Sequence, residues 1–188
     1  MKVLILGAGA VGGYFGGRLV QAGADVTFLV RPQRAKKLAQ AGLVITSPLG
    51  DAQIPVRTVL AETVRPGYDL VILSCKAYDL ESSIASLAGA MGPSTLVLPL
   101  LNGMAHLARL EHAFGSACVL GGTCYIAATL DAAGSIRHLS TFQGISCGAR
   151  AGNPAHAGAL LQDLTQAYAR GSTECKVSAD IEQDMWEK

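Results

Sequence analysis

Met1–Gly17 reads MKVLILGAGAVGGYFGG. Val3–Leu6 is an apolar run short enough for one strand buried on both faces. Gly7, Gly9 and Gly12 follow in G-x-G-x-x-G spacing, and Tyr14–Ala22 reads as a helix. Gly7 permits a tight turn, Gly9 leaves room for a pyrophosphate to approach the backbone, and Gly12 lets the helix lie close on the strand. The free N–H groups of the first helical turn then face the phosphates. Strand, loop and helix come in the required order, so the stretch predicts a dinucleotide site.

Gly23 closes that helix, and Asp25–Val30 (DVTFLV) reads as a second strand ending at Arg31-Pro32. A carboxylate at this point accepts from the ribose 2′-hydroxyl of NAD, whereas an arginine pairs with the 2′-phosphate of NADP. Arg31 stands here, with Arg34, Lys36 and Lys37 close behind, and Asp25 lies at the wrong end of the strand to reach the ribose. Charge therefore favours NADP, and the two lysines are read as solvating the next helix.

Further along, Lys36–Ala41 reads as a short helix closed by Gly42. Leu43–Thr46 and Ile54–Val59 flank the turn-forming cluster Ser47–Asp51 and predict a hairpin. Asp69–Cys75 reads as a fourth main strand, with a helix from about Leu80 to Ala90. Thr95–Leu101 is the next strand, ending in Asn102-Gly103, with a helix over Met104–Phe114. This alternation defines an α/β fold with a doubly wound, mostly parallel sheet. Beyond Gly115 the runs Ala117–Thr129, Ser135–His138 and Gly144–Ala149 read as antiparallel strands continuing the sheet. A helix over Ala155–Ala169 and a strand at Cys175–Val177 follow, and Asp180 or a neighbour caps a final segment, Ile181–Lys188.

Composition narrows the function classes. Half of the 188 residues are hydrophobic and 15% charged, which is ample for a core and unlike a disordered chain. A net charge of +1 without a basic block gives a nucleic-acid partner no electrostatic support. No stretch reaches transmembrane length, so no membrane partner is expected. The five cysteines are odd in number and lack a CxxC pair, which suits small buried thiols in a reducing, cytoplasmic setting. The histidines lack partners at ligand spacing, so no metal site is expected.

In an open α/β sheet, ligands sit outside the carboxyl ends of the strands. Arg31, Lys76 and Asn102 each end an apolar run and should project from the edge that carries the glycine loop. The segments GAGAVGGYFGGRL, LVRP, SCKAYD, LNGM and the closing MWEK together resemble the ketopantoate reductase (2-dehydropantoate 2-reductase) family. The resemblance covers essentially the whole chain, but only the amino-terminal, Rossmann-type NADP-binding part of that architecture. It implies NADPH-dependent reduction of ketopantoate to the pantoate used for pantothenate and coenzyme A.

Carried over by position, the resemblance implies that Gly7, Ala8, Gly9, Ala10, Val11 and Gly12 hold the pyrophosphate and Arg31 the 2′-phosphate. Lys76 and Asn102 would lie near both cofactor and the 2-keto acid substrate, and Ala128, in GGTCYIAA, would meet the cofactor through its backbone. Lys188 matches the family's catalytic lysine. An ammonium beside the keto oxygen stabilises the charge that builds there and supplies the proton. Family members continue past this lysine into a helical domain that supplies substrate-binding residues. The expectation is therefore a Rossmann domain over 1–180, with 181–188 beginning a helical domain that is otherwise absent. The alternatives are a reductase of another 2-keto acid, or a non-catalytic NADP-binding module. Ile181, Met185 and Trp186 would pack within the helical domain; exposed, they would favour a homodimer.

Overall fold

The computed structural model describes residues 1–188. β1 (Lys2–Leu6) is followed by α1 (Ala10–Gln21), β2 (Asp25–Leu29) and α2 (Pro32–Ala41). Then come β3 (Leu43–Thr46), β4 (Ala52–Ile54), β5 (Arg57–Val59), β6 (Leu70–Leu73), α3 (Leu80–Leu87), β7 (Leu96–Pro99) and α4 (Ala105–Phe114). The chain closes with β8 (Gly121–Leu130), β9 (Ile136–Gly148), α5 (Ala157–Arg170), β10 (Glu174–Val177) and α6 (Ile181–Glu187).

The first sheet has the order β5-β2-β1-β6-β7, and its pairs are parallel. Its direction of winding reverses at β1, which is where such sheets bind ligands. β1 is buried on both faces because its side chains alternate between two cores. Val3 and Ile5 join Tyr14, Phe15, Leu19 and Leu164 on one side, while Leu4 and Leu6 join Leu80, Leu110 and Met185 on the other.

Three strand expectations are corrected. Ile54–Val59 is not one strand of a hairpin. Ala52–Ile54 pairs antiparallel with β3, but Arg57–Val59 crosses to the first sheet and pairs parallel with β2. Pro55, which has no N–H to give a ladder, separates the two. The later strands belong to a second sheet, with β8 along one edge of β9 and β3 and β10 sharing the other. A single bridge, Val97 with Val119, joins the sheets. β9 is also one long strand rather than two runs. It carries a bulge in which residues 139–142 stand opposite Ala127 alone. His138 closes that bulge, with Nε2 3.0 Å from Phe142 O and Nδ1 2.9 Å from Ser47 Oγ.

α2 begins earlier than its lysines suggest, at Pro32, because a proline at the first helical position sets φ and lacks only an N–H that would be unpaired anyway. α6 packs two of its three large apolar side chains on the residues described. Ile181 and Met185 are buried, while Trp186 is 76% exposed. Gly121 and Gly148, paired across β8 and β9, make a flat seat for Ile181: a Cβ on Gly148 would stand 2.7 Å from Ile181 Cβ. Arg150 ties the helix to α4, reaching Glu111 at 2.5 Å and Glu182 at 2.7 Å. No helix is long and apolar enough to cross a membrane.

Candidate active site

The glycine loop has the geometry its spacing requires. Gly7 adopts φ +86, a conformation L side chains rarely reach, and its N–H donates to Leu29 O at 2.8 Å. Gly12 sits where a Cβ would come within 2.7 Å of Gly7 O, so only glycine lets α1 approach the loop this closely. Gly9, by contrast, has nothing within 4 Å of where a Cβ would stand. It occupies the N-cap position of α1 without a side-chain cap, and no acidic residue lies in the first turn. The positive end of α1 is therefore left without a side-chain cap or a neighbouring acid, and the space beside Gly9 is open, which suits an anion such as a phosphate.

Arg34 fixes the loop from outside, a role the sequence reading did not give it. Its Nη2 and Nε donate to Ala8 O at 2.8 and 3.1 Å, and its Nη1 donates to Gly134 O at 2.8 Å. One guanidinium thus ties together the glycine loop, α2 and the β8–β9 turn. Burial pulls its pKa below the ordinary arginine value. The signal available in the sequence was a second arginine, three residues past Arg31 in the first turn of α2.

Arg31 stands just beyond β2 with its side chain 81% exposed, and its Nη2 is 3.6 Å from Asp79 Oδ1. Lys76 follows β6 as the residue preceding a 3₁₀ turn, Ala77–Asp79, and its side chain is exposed. Both lie beyond the carboxyl ends of strands flanking β1, as their positions predict. Ala128 is on β8 opposite His138, next to the bulge.

The structure brings Lys188 and Asn102 together. Lys188 Nζ donates to Asn102 Oδ1 at 2.9 Å and also to the carbonyl of Cys124. The ammonium lies 5.0 Å from the centre of the Tyr125 ring, a cation–π contact not legible in the sequence. β8 therefore runs from Cys124 at the lysine, past Ala128, to a turn that Arg34 fastens to the glycine loop. Two thiols border this edge, and neither is a ready nucleophile. Burial pushes Cys124 up, opposed by the Lys188 charge. Burial, reinforced by Asp79, likewise pushes up Cys75, opposed by a hydrogen bond from Ser83.

A parallel sheet with a glycine loop at its winding reversal, and a lysine–asparagine pair on the same edge, defines a Rossmann-type protein of the architecture that commonly binds dinucleotides. The profile described as ketopantoate reductase PanE/ApbA matches residues 3–152, and the chain belongs to that family. It is 39% identical over 189 residues to the uncharacterized oxidoreductase YkpB of Bacillus subtilis, covering 100% of this chain and 61% of that protein. It superposes on a crystal structure of 2-dehydropantoate 2-reductase from Geobacter metallireducens with a TM-score of 0.87 at 25% identity, covering 100% of this chain and 61% of that one. A ternary structure of D-mandelate dehydrogenase with NADH and anilino(oxo)acetate shares the fold, with a TM-score of 0.85 at 23% identity over 99% of this chain and 59% of that one. The chain thus spans about three-fifths of the length of these proteins.

Proposed function

We propose that this chain is the cofactor-binding part of an NADPH-dependent 2-keto acid reductase, with ketopantoate as the substrate and pantoate as the product. The contact of Lys188 with Asn102 carries this reading, because it places an ammonium and an amide on the edge where the glycine loop opens. When bound, the reduced nicotinamide supplies the hydride. The protein's part is to orient the acceptor and to hold a proton where negative charge builds.

Lys188 meets both needs. Its ammonium points to the site edge, held by the Asn102 side-chain oxygen, the Cys124 carbonyl and the Tyr125 ring. With two acceptors on the protein, one of the three donors is left to aim at a keto oxygen. That donor stabilises the developing alkoxide and transfers its proton to it. Asn102 orients the lysine through its oxygen and leaves its amide N–H groups to bind the substrate or the nicotinamide ribose. Gly7–Gly12 receive the pyrophosphate, Arg31 the 2′-phosphate, Lys76 flanks the cofactor, and the Ala128 backbone contacts it.

The test is consumption of NADPH by the purified protein with ketopantoate, beside a panel of other 2-keto acids. Preference for ketopantoate supports the substrate assignment, and turnover of a different acid moves the protein to another reductase of the same chemistry. Binding of NADPH with no turnover of any acid, in a protein whose natural chain ends at Lys188, selects the non-catalytic module instead.

A further inference from the structure

Asp79 stands at the N-cap position of α3, where an aspartate normally accepts from the N–H groups of the first turn. Here its side chain makes no capping bond. The carboxylate is turned to Arg31, with Oδ1 3.6 Å from Nη2. The turn that carries it is nevertheless fixed, because Asp79 N–H donates to Lys76 O and Ser82 Oγ donates to Asp79 O, both at 2.9 Å. The position of this acid is therefore set by its turn, while its partner is chosen away from the helix.

Arg31 and Asp79 come from opposite sides of β1. Leu6, the last residue of β1, is paired with Leu29 of β2 and with Leu73 of β6. Strands on either side of a third lie about 10 Å apart. The ion pair consequently crosses beyond the carboxyl end of β1, where the glycine loop begins. With Arg31 81% and Asp79 38% exposed, it adds little stability and opens readily. Its consequence lies in the charge it places there. A 2′-phosphate approaching Arg31 must displace a carboxylate and then remain near it, and like charges repel. A 2′-hydroxyl meets no such repulsion and can donate to the same carboxylate.

We propose that Asp79 is a specificity-determining residue, which latches Arg31 across the adenosine end of the site and restrains its preference for NADPH over NADH. The proposal rests on the reading of Arg31 given above.

Calorimetric titration of the 188-residue chain with NADPH and with NADH tests it, using wild type, Asp79→Asn, Arg31→Gln and the double variant. Asp79→Asn should tighten NADPH binding about three- to fivefold while NADH changes less than about twofold, and added salt should shrink the gain. The double variant should show no gain over Arg31→Gln. If Asp79→Asn leaves the NADPH-to-NADH ratio unchanged or lowers it, while Arg31→Gln still weakens NADPH, the latch is overturned and the reading of Arg31 stands. If Arg31→Gln binds NADPH as wild type does, the reading of Arg31 falls and the latch with it.

Discussion

Lys188 Nζ and Asn102 Oδ1 lie 2.9 Å apart although 86 residues separate them in the chain. The helix that ends at the lysine is seated on Gly121 and Gly148 through Ile181, and the asparagine follows β7. Lys188→Ala should lower reductase turnover by at least about 100-fold, the usual contribution of a positioned acid, while NADPH binding changes little. On the proposed function, Asn102→Ala should weaken both turnover and binding, since it loses the lysine's partner and an amide assigned to the cofactor. Steady-state kinetics paired with calorimetry separates the two effects, and normal turnover by Lys188→Ala would remove the lysine from its assigned role.

The two loop glycines should fail in different ways. Gly12→Ala drives a methyl towards Gly7 O and Ile5 Cγ2, so it should destabilise the fold by about 1–3 kcal/mol as well as weaken binding. Gly9→Ala meets no protein atom within 4 Å, so its melting temperature should stay within about 2 °C of wild type. Its NADPH affinity should nevertheless fall about tenfold or more, because the methyl enters the space that the proposed function gives to the pyrophosphate. A Gly9→Ala protein that binds NADPH normally would move the pyrophosphate elsewhere.

Arg34→Met removes three hydrogen bonds, two to Ala8 O and one to Gly134 O. It should cost on the order of 1–3 kcal/mol by chemical denaturation and loosen the glycine loop, so that NADPH affinity falls as well. Arg34→Lys should restore little of either, because an ammonium cannot span both carbonyls as the planar fork does. Full rescue by lysine would show that charge alone, not the fork, is what the loop needs.

His106 is 5% exposed, and burial with the nearby Arg150 charge pulls its pKa from 6.5 to about 4. In the unfolded chain the imidazole takes up a proton below about pH 6.5 while the folded protein still excludes it. The unfolded state thus binds more protons, so stability is full above that pH and is lost as pH falls towards 4. Denaturant titrations at pH 7 and 4.5 should show a loss that His106→Leu reduces by on the order of 1–2 kcal/mol. An equal loss in the variant would assign the acid sensitivity to other groups.

Most of the parallel sheet was legible because its strands are continuous apolar runs and its helices are bounded by glycine and proline. The failures share a cause. Ile54–Val59 reads as one β-rich run, yet the chain leaves one sheet for the other at the Pro55 inside it. The runs after Gly115 carry no sign of which sheet they join. Periodicity states that a segment is a strand, whereas its neighbours depend on contacts distant in sequence.

The sequence by itself determined the glycine loop, Arg31 after the second strand, and the placing of Lys76 and Asn102 at strand ends. These follow from local rules: the order of strand, turn and helix, and the need for glycine where φ is positive. Only the tertiary structure decided that Arg34 grips Ala8, that Asp79 faces Arg31 instead of capping its helix, and that Lys188 meets Asn102. Each of those is a contact between groups far apart in the chain. Long charged side chains reach many acceptors, and folding alone selects which one lies within hydrogen-bond range.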